Sequence, residues 1–172
     1  MEALGGAAEP MPRQIQAKVT GYGGYTSRAE RRSSDQLLRA HLISRLEGLA
    51  SRLNGAAEQA QSLGAPELSE PLSRLHRKLS TICEGLHAPS YLESSFFEST
   101  SLPAELLESI YGCELALLGE VSELDEEVSD LDVTVLSEAE LQELALRMSD
   151  SVDAFNQALF ERESLMMGGE GE

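Results

Sequence analysis

Hydrophobic residues recur along most of this chain at intervals of three and four. The series Leu38, Leu42, Leu46, Leu49, Leu53, Ala57, Ala60, Leu63 is the first example. Such spacing keeps one face of an α-helix apolar, close to the heptad seam of a coiled coil. It predicts a long helix from about Ser27 to Leu63. Ser27 would be its N-cap, Glu30 the capping-box partner, and Gly64 with Pro66 the stop. A second seam, Leu68, Leu72, Leu75, Leu79, Ile82, Leu86, predicts a helix from Glu67 or Ser69 to His87, with Pro71 in its first turn. A third runs through Leu106, Ile110, Cys113, Leu117, Val121, Leu124, Val128 and Leu131, in a helix over 102–131 with Ser101 as cap and Pro103 in the first turn. Val133–Leu136 is a short β-favouring link. The capping box Ser137-Glu-Ala-Glu140 then opens a fourth helix, striped by Leu141, Leu144, Met148, Val152, Phe155 and Leu159 and ending near Met167.

The remaining segments lack this period. Residues 1–26 hold Pro10, Pro12 and the cluster Gly21-Tyr22-Gly23-Gly24-Tyr25. They read as a flexible N-terminal arm whose Gly/Tyr end docks on the bundle. Residues 88–101 are Ser-rich and carry Tyr91, Phe96 and Phe97, either as a plug for one end of the core or as a partner-binding knob. Residues 168–172 read as a disordered acidic tail. The expected fold is all-α: an antiparallel bundle of about four long helices over 27–167 with coiled-coil-like seams.

Composition fits one such domain: 172 residues, 41% hydrophobic, 25% charged. The longest apolar runs, such as Leu115–Leu118, are far too short to span a bilayer. The N-terminus shows no secretory pattern, Glu2 excludes myristoylation, and no C-terminal Cys offers prenylation. These features lead us to expect a cytoplasmic protein. Cys83 and Cys113 then read as reduced, buried thiols.

Charge changes the picture more. The net charge is −17. Residues 1–89 carry eleven Lys+Arg against nine Asp+Glu; residues 90–172 carry only Arg147 and Arg162 against twenty-one acids. Within 13–52, Arg13, Lys18, Arg28, Arg31, Arg32, Arg39, Arg45 and Arg52 face only Glu30, Asp35 and Glu47. Either the basic part pairs with the acidic helices or it engages an acidic partner or anionic lipid. Nucleic acid is disfavoured by the net charge.

Candidate chemistry is sparse. Glu84-Gly-Leu-His87 is a lone E-x-x-H, whereas a di-metal bundle needs two, and neither His41 nor His76 has a Glu three residues earlier. Phosphate-loop, dinucleotide, nucleophile-elbow, zinc-protease and C-x-x-C patterns are missing. No catalytic residue, metal or cofactor is expected.

Gly21–Arg39, with its Gly-Tyr, Tyr, Arg/Glu-rich and Asp-x-Leu-Leu-Arg pattern, resembles the opening of a family of small, largely uncharacterised bacterial helical proteins. Tyr91–Phe97 followed by Leu106–Asp125 is similar to the same family's aromatic link and last helices, so the likeness covers about residues 21–131. Those proteins accompany phage-shock protein A-like and flotillin-like (SPFH) membrane-stress proteins. The resemblance implies a non-enzymatic adaptor or scaffold at the cytoplasmic membrane face, with phage-shock or SPFH-type partners.

Arg28, Arg31, Arg32, Arg39, Tyr22, Tyr25, Tyr91, Phe96 and Phe97 are the candidate partner-binding residues. The rival readings are a homo-oligomeric structural coiled coil, a metalloprotein using Glu84 and His87, and a small acidic chaperone for a dedicated client.

Overall fold

A computed structural model describes residues 8–168. It is all-helical, with no strand among those residues. Five α-helices occur: α1 (Met11–Gln16), α2 (Arg28–Ser62), α3 (Pro66–His87), α4 (Ala104–Ser129) and α5 (Glu138–Met166). Two short 3-10 helices, Ser90–Glu93 and Ser95–Phe97, lie in the connection from α3 to α4.

The long helices follow the seams, but their ends differ from expectation in instructive ways. The Ser27 side chain makes no capping bond, so the predicted box with Glu30 does not form. The Glu30 carboxylate instead lies against Gly23, within 2.8 Å of where a Cβ would stand. α3 begins at Pro66, because a proline at the first position gives up only an N–H that has no helical partner there. Pro71 is therefore inside the helix rather than in its first turn. Pro103, not Ser101, occupies the N-cap position of α4. The Ser137 cap does form, with Glu140 N donating to Ser137 Oγ at 3.2 Å, the N-cap half of the expected box. Val133–Leu136 is a turn, held by Asp132 accepting from Thr134 N and Oγ1 at 2.9 and 2.6 Å. At Gly64, φ is +78° and Ala65 N donates to Ala60 O at 3.0 Å, a left-handed C-terminal stop of the expected kind.

The helices pair as two hairpins, α2 with α3 and α4 with α5. Arg39 reaches Leu86 O while His76 meets Ala50 O, so α2 and α3 run antiparallel. Between hairpins the sense is the same. Arg45 and Arg52 reach Asp125 on α4 as the Asp35 level of α2 meets the Glu114 level. Lys78 of α3 pairs with Asp153 of α5, with Pro71 near Gln142 and Gly85 near Asn156. α2/α4 and α3/α5 are thus parallel neighbours, so the four long helices pack as two hairpins side by side rather than with every neighbour antiparallel. The cause is the 88–103 connection. It carries the chain across one end of the bundle, from the C-terminus of α3 to the N-terminus of α4.

The segment before α2 is part of the core. α1 lies on α4, and Ile15, Val19, Tyr22 and Tyr25 are buried. The flexible arm expected over 1–26 is therefore integrated from Met11 onward; residues 1–7, and 169–172 of the expected tail, lie outside the described residues. No helix among the described residues is long and apolar enough to cross a membrane.

Candidate functional site

At the end of the bundle where the long connection crosses, four segments aim polar groups at one point. Arg162 of α5 is fully buried and central. Its Nε donates to Glu114 Oε1 of α4 at 3.1 Å, its Nη1 to Tyr91 Oη at 2.9 Å, and its Nη2 to Asp35 Oδ1 of α2 at 2.7 Å and to Tyr25 Oη at 3.0 Å. Tyr91 Oη donates to Asp35 Oδ1 at 2.6 Å, and the phenols of Tyr22 and Tyr25 donate to the two oxygens of Glu114. Asp35 Oδ2 accepts from Arg39 Nε at 3.0 Å. Two guanidiniums thus balance two carboxylates, as an interior charge cluster requires.

Arg31, also buried, ties the flanking chain to this cluster. Nε donates to Tyr25 O at 2.8 Å, and Nη1 to Phe96 O at 3.1 Å and Ser99 O at 2.6 Å. Gly24 has φ +80°, and a Cβ there would stand 2.8 Å from the Tyr111 hydroxyl. Glycine is needed for the turn and for letting Tyr111 Oη accept from Tyr25 N at 2.9 Å. Tyr25 packs on Phe96 and Tyr111, and Phe97 on Phe96 and Tyr91, so the aromatic connection closes the core.

Burial governs the titration here. It pushes the Glu114 carboxyl above the usual glutamate range, opposed by Arg162 and the two phenols. Burial beside Glu114 holds Tyr22 and Tyr25 far above an ordinary phenol, and burial does the same to Tyr91 against the pull of Arg162. These phenols remain protonated donors. Burial also pushes the Cys83 thiol up to about 11 and raises Cys113, which makes both poor nucleophiles.

Seven of the nine candidate partner-binding residues are consequently turned inward. Tyr22, Tyr25, Tyr91, Phe96, Phe97 and Arg31 are buried, and Arg39 is nearly so, its guanidinium spent on Asp35 and Leu86 O at 3.0 Å. As folded, they present no surface to a partner. The physical reason is that the tyrosines and arginines carry a polar tip on an apolar body and the cluster satisfies the tips, while Phe96 and Phe97 bury their rings against Tyr25, Tyr91 and each other. Only Arg28 and Arg32 are exposed. Arg28 donates to Glu98 O, and Arg32 stacks on Phe97 and pairs with Glu98 at 3.0 Å. Both clamp the 88–103 connection. The basic stretch pairs with acidic α4 through Arg45 and Arg52.

Among the described residues no cluster of His, Cys, Asp or Glu could hold a metal ion. His87 lies 3.7 Å from Glu47, and both are exposed.

An open groove lies elsewhere on the molecule. Between α4 and α5 runs a groove of about 1000 Å³, floored by Leu106, Cys113, Ala116, Ala158 and Leu165. Phe160 stands in its wall, 66% exposed. None of the buried-cluster residues lines it.

Sequence reasoning missed Arg162, Glu114 and Asp35. The signal was present, because each occupies a seam slot: Arg162 continues Phe155 and Leu159, Glu114 sits between Ile110 and Leu117, and Asp35 precedes Leu38. No family model, curated protein or solved structure matches this chain.

Proposed function

We propose that this protein is a non-enzymatic adaptor or scaffold that receives a partner protein on its α4/α5 face. The open apolar groove between those helices carries the reading. An exposed phenylalanine in the wall of an apolar groove is a surface of the kind protein partners use. The chemistry-bearing groups support it from the other side. Arg162, Glu114, Asp35 and the phenols are buried and bonded to one another, and none of them lines that groove. The likeness of residues 21–131 to helical proteins that accompany phage-shock and SPFH-type proteins makes that membrane-stress class the proposed partner, at the cytoplasmic membrane face. The docking surface proposed is the α4/α5 groove, and the basic segment 13–39 serves to hold the fold.

A photo-crosslinking amino acid placed at Phe160, with Arg77 on α3 as control, tests this in the protein's own cells. The expected result is a crosslinked partner at 160 and not at 77, lost when Gly112→Leu fills the groove. Equal crosslinking at both positions, or none at 160, overturns the reading.

A further inference from the structure

Charge along the α4/α5 face identifies the chemistry of the occupant. α4 carries eight carboxylates and no Lys or Arg. The stripe that lines the groove at Ser109, Gly112, Cys113 and Ala116 continues by steps of four, three and four to Glu120, Glu123 and Glu127. These three are mutually unfavourable. Burial raises the pKa of Glu120 and Glu127, and Glu123 raises both further. Glu127 Oε1 accepts from Ser151 Oγ at 3.1 Å, which holds that side chain against α5, while its Oε2 is buried with no hydrogen-bond partner. Glu161 lines the groove itself, and Glu105 and Glu108 are exposed at its far end. The only nearby cation of either helix that is not buried is Arg147.

An apolar trough leading into an acidic stripe with Arg147 as its one nearby exposed cation on these two helices fits a ligand that brings positive charge. We propose that the groove takes a basic amphipathic helix of the partner protein: apolar side chains at i, i+3, i+4 and i+7 enter beside Phe160, and Lys or Arg residues of the flanking face meet Glu120, Glu123 and Glu127. This rests on the adaptor reading above and names the partner's chemistry. The dimensions agree, since residues 104–127 of α4 span about 36 Å, enough for a helix of about 20 residues. Small residues at 109, 112 and 116 let a helix axis approach closely. A second copy is a poor occupant. Its own α4/α5 face is equally acidic, and its α3 cations are already paired, Arg74 and Arg77 with Glu70 and Lys78 with Asp153. An anionic membrane would be repelled by the same carboxylates.

The test uses the full chain and two synthetic peptides of about 18 residues with identical leucine stripes, one with lysine and one with glutamate on the polar face. Fluorescence anisotropy gives affinity, and backbone NMR shifts give location. The lysine peptide should bind, more weakly at high salt, with shifts confined to residues 103–127 and 147–168. Glu120→Lys with Glu123→Lys should weaken it by about tenfold. Gly112→Leu should block it while the fold stays intact, because a Cβ at 112 meets nothing within 4 Å. Retention of the far-UV helix signal and of the thermal midpoint checks that. Equal binding of the glutamate peptide overturns the partner chemistry but leaves the adaptor reading, which the Phe160 crosslink tests independently. Binding that survives Gly112→Leu, no binding of the lysine peptide, or light scattering showing a dimer that covers the groove each overturns the proposal.

Discussion

At one end of the bundle Arg162, Asp35, Glu114 and three phenols fill the space between the helices; at the other, Leu53, Leu72, Leu124, Leu144 and Met148 fill it. The links differ in the same way. The apolar end is closed by the Gly64 stop and the 130–137 turn, while the polar end is closed by the 88–103 connection and the Gly/Tyr segment. Apolar packing is non-directional, so helices with good seams can meet there in several orders. The polar end is directional: Arg162 has four bonds to four particular oxygens, drawn from α2, α4 and two loops. That contrast shows how loop-rich chain is tied to the helices. Arg31 and Arg162 bind the loops by their carbonyls and phenols, not by hydrophobic area alone.

The sharpest way to break the contrast is Arg162→Met. It leaves Asp35 and Glu114 buried without their shared cation, and such a deletion costs about 3–5 kcal/mol. Urea unfolding should show that loss, and amide exchange should rise first in residues 20–35 and 88–100. Uniform exchange across all helices would refute a local role for the cluster.

Leu124→Ala at the apolar end should cost about 2–5 kcal/mol through lost burial and a cavity. Its effect should add to that of Arg162→Met within about 0.5 kcal/mol, since the two share no partner. Strong coupling would mean that the ends do not act separately.

Tyr25→Phe removes one donor to Glu114 and one acceptor for Arg162, and should cost about 1–3 kcal/mol. Combined with Arg162→Met it should be non-additive by about 0.5–3 kcal/mol, because both belong to one network.

The smallest effect concerns pH. A carboxyl raised by burial binds its proton more tightly in the folded chain than in the unfolded one. Its cost to stability is therefore present above the folded pKa and relieved as pH falls towards the ordinary value of 4.5. Glu114, Glu120, Glu127 and Glu163 all have this sign. His41, lowered from 6.5 by burial and neighbouring Arg45, has the opposite one. Four carboxyls against one imidazole predict a thermal midpoint that rises as pH falls from neutral towards 4.5. Glu114→Gln should flatten the rise, and a midpoint that falls across that range contradicts the burial of these groups.

Several features were legible in the sequence for local reasons. The seams of Leu38–Leu63 and Leu68–Leu86, the Gly64 stop and the Ser137 cap depend on neighbours within one or two turns, and they marked out α2, α5 and the end of α3 nearly to the residue. The groove on α4/α5 was not legible, because it is the space left between two helices whose relative placement no seam specifies. Arg28 to Arg39 read as a basic surface because charge is usually solvated; only the fold shows Arg31 and Arg39 pointing inward. Helix period, stop signals and charge excess are properties of short stretches, so the sequence alone determined them. The parallel neighbours and the joining of residues 25, 35, 91, 114 and 162 were decided by tertiary structure. A single Arg in a seam slot states that it needs a carboxylate, but not which of thirty will meet it.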